Sequence, residues 1–232
     1  MEPTTVHYSE STIAAEQQRF MVRVYSWMTM GLVVTGGVAF LVATTPALLQ
    51  VVASPWVIFP LILLQLGLVM WLATRVMQMS AAQATGVFLL YSALTGVTLS
   101  FVFLAYTTAS LTSTFFVTAG TFGAMSFYGY TTKRDLTSWG SFLFMGLMGI
   151  IIASIVNIFL QSSMVYWLVT YAGVLIFVGL TAYDTQKIKE MNILGNEGTE
   201  EDTKEAVRGA LSLYLDFINL FLMLLRVMGQ RR

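Results

Sequence analysis

Seven runs of apolar residues, each long enough to cross a bilayer, occupy most of the chain. A spanning helix needs roughly 20 predominantly apolar residues, and backbone groups inside lipid must be hydrogen-bonded within the protein. The sequence therefore predicts an all-α membrane protein with seven transmembrane helices, a polar N-terminal tail at 1–23, a transmembrane domain at 24–228 and a short basic C-terminal tail at 229–232. The predicted helices lie at 24–44, 56–74, 83–105, 109–130, 139–160, 164–184 and 208–228.

Basic residues are confined to alternate connections. They precede the first run, follow the second and fourth, and lie between the sixth and seventh, whereas the other three connections hold no Lys or Arg. The positive-inside rule therefore predicts a cytoplasmic N-terminus. Arg231 and Arg232 oppose this pattern, because seven crossings place them outside. Either the last helix does not cross completely, or the earlier helices override the terminal charge, and we expect seven crossings.

Composition excludes several functions. The formal net charge is zero and only 10% of residues are charged, which gives no indication of nucleic-acid binding. The absence of cysteine excludes disulfides, thiolate metal sites and cysteine nucleophiles. The only histidine, His7, lies in the polar tail, so a histidine metal site is excluded as well. That tail lacks the pattern of a signal peptide, so we expect the first helix to be retained.

Two aspartates stand within the apolar runs. Asp184 closes the sixth run and Asp216 lies in the middle of the seventh. An ionised carboxylate in a bilayer costs several kcal/mol unless it is paired, protonated or exposed to a water-filled cavity. Measured from Lys189 and Arg208, the two carboxylates differ in depth by only about 5 Å at 1.5 Å per residue. Adjacent antiparallel helices could therefore bring them together.

Two neighbouring carboxylates in a low dielectric share one proton and titrate as a pair. Such a pair would sense pH, and its oxygens would suit a hard cation such as Ca²⁺. Alternatively, Asp184 and Asp216 each bond separately to polar neighbours and only fix packing. On the last helix, Ser212 and Asn219 share the helix face of Asp216. This polar stripe must face protein or water.

Two charged features of the sequence each allow two interpretations. Arg75 is the only charged residue between Val24 and Thr132. It either neutralises the aspartate pair from the end of the second helix or extends to the headgroups and sets topology. The acidic segment 196–205 is either a cation-attracting mouth or a solvated linker, and we expect the linker.

The stretches TAYDTQKIK (181–189) and ALSLYLDFINLFLMLLR (210–226) resemble the transmembrane Bax inhibitor motif family. The similarity extends to residues 128–160 and covers nearly the whole chain. It implies a bacterial member with a seven-helix fold, in which the C-terminal helix is central and wrapped by the other six. It further implies a pH-sensitive Ca²⁺ leak in which Asp184 and Asp216 form a hydrogen-bonded pair and Arg75 is the arginine that engages them.

The leading hypothesis is thus a pH-sensitive calcium leak channel or channel-like transporter in the bacterial inner membrane, gated by the aspartate pair. It is not an enzyme and needs no cofactor, and its partners are the bilayer, calcium and protons. One alternative is a non-transporting regulator that binds other membrane proteins. A less favoured alternative is an intramembrane aspartyl protease, although its Gly-x-Gly-Asp pattern is replaced here by Leu213-Tyr214-Leu215-Asp216, and the bulky Tyr214 and Leu215 would keep a substrate backbone away.

Overall fold

The computed structural model describes residues 10–232 and is built of helices. His7 and the first part of the predicted tail lie outside the described residues. The helices are α1 Glu10–Thr44, α2 Pro46–Ala53, α3 Pro55–Arg75, α4 Ala81–Ala105, α5 Thr108–Thr131, α6 Thr137–Leu160, α7 Ser163–Met191 and α8 Glu200–Met228, with a 3₁₀ turn at Val76–Gln78. Seven of these helices, α1 and α3 to α8, correspond to the seven predicted runs.

Local sequence signals set several boundaries. Pro46 and Pro55 begin α2 and α3 at the first helical turn, where a missing backbone N–H costs nothing. Ser80 and Gln83 form a reciprocal capping box at the start of α4. The side chain of Thr199 caps α8 by accepting a hydrogen bond from the Asp202 backbone.

Within residues 10–232, six helices are long and apolar enough to cross a membrane: α1, α3, α4, α6, α7 and α8. The remaining predicted span, α5, is 24 residues long but rich in Thr and Ser. Length and composition therefore support a multi-span membrane protein, and the seventh crossing rests on the length of α5.

Helix α8 packs directly against α1, α3, α4, α5 and α7, while α6 packs on the outer side of α7. Among the six candidate spans, α8 has the largest buried share. Its side chains Leu213, Tyr214 and Leu220 are completely buried. The Tyr214 hydroxyl shares a 2.7 Å hydrogen bond with Thr35 of α1, so the polar end of this large core residue is satisfied.

The basic residues of alternate connections meet at one end of the bundle, which we call the charged end. It comprises the start of α1 and the connections α3–α4, α5–α6 and α7–α8. The last residues lie at the opposite end, where Gln230 accepts a hydrogen bond from the Thr107 backbone at 3.1 Å. Helix α8 is 29 residues long, about 43 Å, and runs from the charged end to the opposite end.

Two boundary predictions at the charged end require correction. The predicted first helix begins at residue 24, but α1 begins at Glu10, and the buried Glu16 accepts a 2.7 Å hydrogen bond from the Gly195 backbone. The segment 196–205, expected as a solvated linker, is helical from Glu200 onward. Asp202 is only 1% exposed and forms a 2.9 Å ion pair with Arg23, so neither linker nor open acidic mouth describes it.

Candidate functional site: an aspartate pair in an interhelical cavity

A cavity of about 800 Å³ lies between α6, α7 and α8. Its walls carry apolar side chains such as Phe144, Ile151 and Phe177, and its polar groups converge on the α7–α8 side. The predicted residues Asp184, Ser212, Asp216 and Asn219 all line it. The polar stripe of α8 therefore faces a cavity inside the protein, as its polarity requires.

The carboxyl groups of Asp184 and Asp216 line the same cavity and lie close enough across the α7–α8 contact to interact electrostatically. Ser212, one turn before Asp216 on α8, donates a hydrogen bond to Asp184 Oδ2. Asp216 is 4% exposed, and its Oδ2 atom is buried with no hydrogen-bond partner among the described residues. A carboxyl oxygen in that position is satisfied if a proton or a cation stands between the two side chains.

The other polar groups of the cavity are arranged around this pair. Asn219 donates its amide to the backbone oxygen of Leu215 at 2.8 Å, which leaves its side-chain oxygen available to the cavity. Lys187, one turn after Asp184, lies over the ring of Tyr183 at 5.4 Å and attracts the Asp184 carboxylate. Lys187 and Tyr183 were not predicted as site residues, although the i, i+3 spacing of Asp184 and Lys187 was visible in the sequence.

Arg75 takes a different position. It is exposed at the end of α3 and donates a hydrogen bond to Gln78 in the following turn. The structure thus places the positive charge of Lys187, rather than that of Arg75, beside the pair. The assignment of Arg75 as the residue that neutralises the aspartates stays a prediction and requires its side chain to move.

The cavity is asymmetric along the membrane direction. At the charged end its walls reach Gly140 and Lys187, close to the α5–α6 connection. In the other direction its walls end at Ile155 on α6 and Met223 on α8, five residues before each helix ends. The Met223 side chain packs against Gly173 of α7, where an added Cβ would lie 3.0 Å from the Met223 sulfur. This contact separates the acidic cavity from the opposite end.

These features define an all-helical membrane protein with an acidic pair enclosed between its last helices. Comparison with known proteins gives the family. The model of the family described as inhibitor of apoptosis-promoting Bax1 matches residues 17–232. The chain belongs to this Bax inhibitor family, as its sequence resemblance predicted.

Bacterial relatives match over nearly their full length. The Escherichia coli K12 inner membrane protein YbhL is 54% identical over 217 residues, which cover 93% of each chain. A Borreliella burgdorferi protein is 48% identical over 217 residues, covering 93% of this chain and 94% of the relative. A Deinococcus radiodurans protein is 43% identical over 230 residues, covering 96% and 98%. The E. coli relative is named as an inner membrane protein, and a Streptococcus pyogenes relative is named as a membrane protein.

Proposed function

We propose that this protein is a pH-sensitive calcium leak channel or channel-like transporter of the bacterial inner membrane. In this proposal, protonation of the Asp184–Asp216 pair controls whether ions pass. The observation that carries it is the pair itself: two carboxyl groups from consecutive helices meet in an interhelical cavity, and one buried oxygen lacks a partner. The inner-membrane location follows the name of the E. coli relative.

One shared proton would hold α7 and α8 together by a hydrogen bond between the two carboxyl groups. Removing it would leave two negative charges that repel. At about 4 Å and an effective dielectric of about 20, that repulsion is about 4 kcal/mol. Shifting a two-state equilibrium from 1:99 to 99:1 takes about 5.5 kcal/mol. The pair alone therefore supplies most of the free energy that a switch needs.

The unprotonated pair would also attract a cation. Carboxylate, hydroxyl and amide oxygens are hard ligands that suit Ca²⁺, and the cavity offers them from Asp184, Ser212, Asp216 and Asn219. Within residues 10–232, no three His, Cys, Asp or Glu side chains are grouped so that they could hold a metal ion. The donor set therefore suits a calcium ion in transit better than a tightly held one.

The topology of the pathway is part of the proposal. With α5 as the seventh crossing, the positive-inside rule puts the charged end and the N-terminus in the cytoplasm. The C-terminus then lies outside, since α8 extends to the opposite end. The cavity would open toward the cytoplasm, and conduction would require the Met223–Gly173 contact to part. Five of the other six crossings would then pack directly against α8, and α6 would face it across the acidic cavity.

The test is calcium flux into proteoliposomes measured over a range of pH. Wild-type flux should change across the range in which the pair exchanges its proton. The variants Asp184→Asn and Asp216→Asn should each lose that pH dependence, because an amide cannot share a proton in this way. Glu200→Gln, which removes an exposed acid at the start of α8, is the matched control and should behave as wild type.

Unchanged pH dependence in both Asn variants would refute the aspartate switch. Absence of flux from purified, folded protein at every pH would refute the transport function altogether. In that case, co-purification of a specific membrane protein would support the non-transporting regulator instead.

A further inference from the structure

A second groove, distinct from the acidic cavity, lies on the outer side of α6 and α7 next to the end of α5. Its volume is about 600 Å³. The residues at its mouth come from the α5–α6 connection and the first turn of α6 and include Arg134, Asp135 and Trp139. Deeper in, its walls are apolar or small and include Phe142, Gly146, Leu175 and Ile176. The groove is thus cationic and aromatic at its mouth and apolar below.

The mouth is held in place by α7. Gln186 of α7 is buried, donates to the Arg134 backbone oxygen at 2.8 Å and accepts from the Leu136 backbone nitrogen at 2.9 Å. These two bonds fix the connection, yet they use no atom of the Arg134 side chain. Among the ion pairs and hydrogen bonds of residues 10–232, none engages the Arg134 guanidinium. An arginine whose backbone is held in place and whose exposed guanidinium is unpaired favours an anionic ligand at the mouth.

The neighbouring charges favour the same ligand. Lys133 is exposed next to Arg134 on the α5–α6 connection. The one acid at the mouth, Asp135, is occupied as the acceptor of a 2.8 Å hydrogen bond from the Thr137 backbone. The α5–α6 connection therefore carries two basic side chains, Lys133 and Arg134, against the one carboxylate of Asp135.

The depth of the groove matches one leaflet. On α7 its lining extends from Tyr183 to Ala172, eleven residues or about 16.5 Å. Half of a hydrocarbon core of about 30 Å has nearly the same depth. An anionic phospholipid is complementary to this groove. Its headgroup would meet the basic, Trp-bearing mouth, and an acyl chain would fill the apolar slot, which is about as deep as one leaflet.

We propose that the groove formed by the α5–α6 connection, α6 and α7 binds one anionic phospholipid from the leaflet at the charged end. Its phosphate would pair with Arg134, and an acyl chain would lie along Phe142, Gly146 and Ile176. Tyr183 lines both this groove and the acidic cavity. The bound lipid and Asp184 would therefore lie on opposite sides of the wall that contains Tyr183.

Native mass spectrometry of the detergent-purified full chain tests this site with equal amounts of phosphatidylglycerol and phosphatidylcholine. The wild type should retain phosphatidylglycerol preferentially. Arg134→Gln should reduce that preference about fivefold, which is the contribution of one basic residue to binding an anionic membrane surface. Arg134→Lys should keep most of it. Arg232→Gln, which removes an exposed charge at the opposite end, should match wild type.

The apolar part of the groove has its own variant. Gly146→Leu would fill the slot, where even a Cβ would approach Ile176 to 3.1 Å, and should reduce retention of both lipids. Gly149→Leu is the control, because a Cβ there meets open space on the same helix. Thermal unfolding of each variant shows that it is folded.

Three results would overturn the site. The first is an unchanged lipid preference in Arg134→Gln. The second is an equal loss of lipid retention in Gly149→Leu and Gly146→Leu. The third is displacement of the lipid by glycerol phosphate at the same concentration as the lipid. The last result would show an anion site that does not use an acyl chain. All of these readouts are independent of calcium flux.

Discussion

The close crossing of α5 and α7 gives a prediction that the structure quantifies. Gly129 of α5 lies against the backbone of Ala182, two residues before Asp184. A Cβ at position 129 would lie 2.9 Å from the Ala182 carbonyl carbon and 3.0 Å from its Cα. Carbon atoms pack at about 3.5–4.0 Å, so Gly129→Ala requires the helices to separate by roughly 1 Å. A backbone atom cannot rotate away as a side chain can.

Overpacking of this kind costs about 1–3 kcal/mol. Alanine also favours the helix over glycine by about 0.5–1 kcal/mol, and that gain obscures the loss if one variant is measured alone. Gly123→Ala is therefore the reference, because position 123 is on the same helix and a Cβ there meets nothing within 4 Å. Both variants receive the helix-propensity gain, so their difference isolates the packing cost.

The assay is reversible unfolding in mixed micelles, which gives the free energy of unfolding of each variant. Gly129→Ala should be about 1–3 kcal/mol less stable than Gly123→Ala. Calcium flux of Gly129→Ala should change as well, because the shift displaces the segment that carries Asp184. Equal stability of the two variants would show that α5 and α7 do not cross at this distance.

Three further predictions concern the charged end and the core. Asp202→Asn, which weakens the 2.9 Å pair with Arg23, should cost about 1–3 kcal/mol in the same unfolding assay, whereas Glu201→Gln, at a 58% exposed side chain, should have little effect. The hydrogen bond from Arg19 holds the pKa of Glu197 below its ordinary 4.5, so this pair stabilises the fold fully above that pH and its contribution is lost as the pH falls through the lower folded-state value. When the pH is lowered from neutral to below the folded-state pKa of Glu197, the free energy of unfolding should therefore fall less in Glu197→Gln than in wild type. An equal fall in both proteins would contradict the pairing. Tyr214→Phe should cost about 1 kcal/mol, because it removes the hydroxyl bonded to Thr35 at 2.7 Å, and an unchanged unfolding free energy would show that this bond contributes nothing.

The positions of the seven long helices followed from apolar runs, because a bilayer fixes the length that a helix must have. The sequence could not give the ends of α1, α7 and α8 at the charged end. Helix α1 extends back to Glu10 and α8 begins at Glu200 because side chains far apart in sequence meet there. Arg23 and Asp202, 179 positions apart, form one such contact. No local pattern reports contacts of this kind.

The candidate site, like the fold, was predicted only in part from the sequence. Helical spacing put Ser212, Asp216 and Asn219 on one face, and all three line the cavity. The similar depths of Asp184 and Asp216, counted in residues from the ends of their helices, also allowed the two carboxylates to meet. The partner on the basic side was not predictable, because the packing of α3 determines where Arg75 lies, and there it bonds to Gln78. Lys187 reaches the pair from the same helix as Asp184, and only the structure distinguishes the two cations.

Carboxyl protonation, followed by infrared spectroscopy of the purified protein in lipid, tests proton sharing most directly. The proposed mechanism predicts a buried carboxylic acid band in wild type that titrates separately from the exposed acids and moves when calcium is added. Either Asp184→Asn or Asp216→Asn should abolish this shared band, and Glu200→Gln should leave it unchanged. A band that is absent at every pH, or that persists in both Asn variants, would contradict a shared proton.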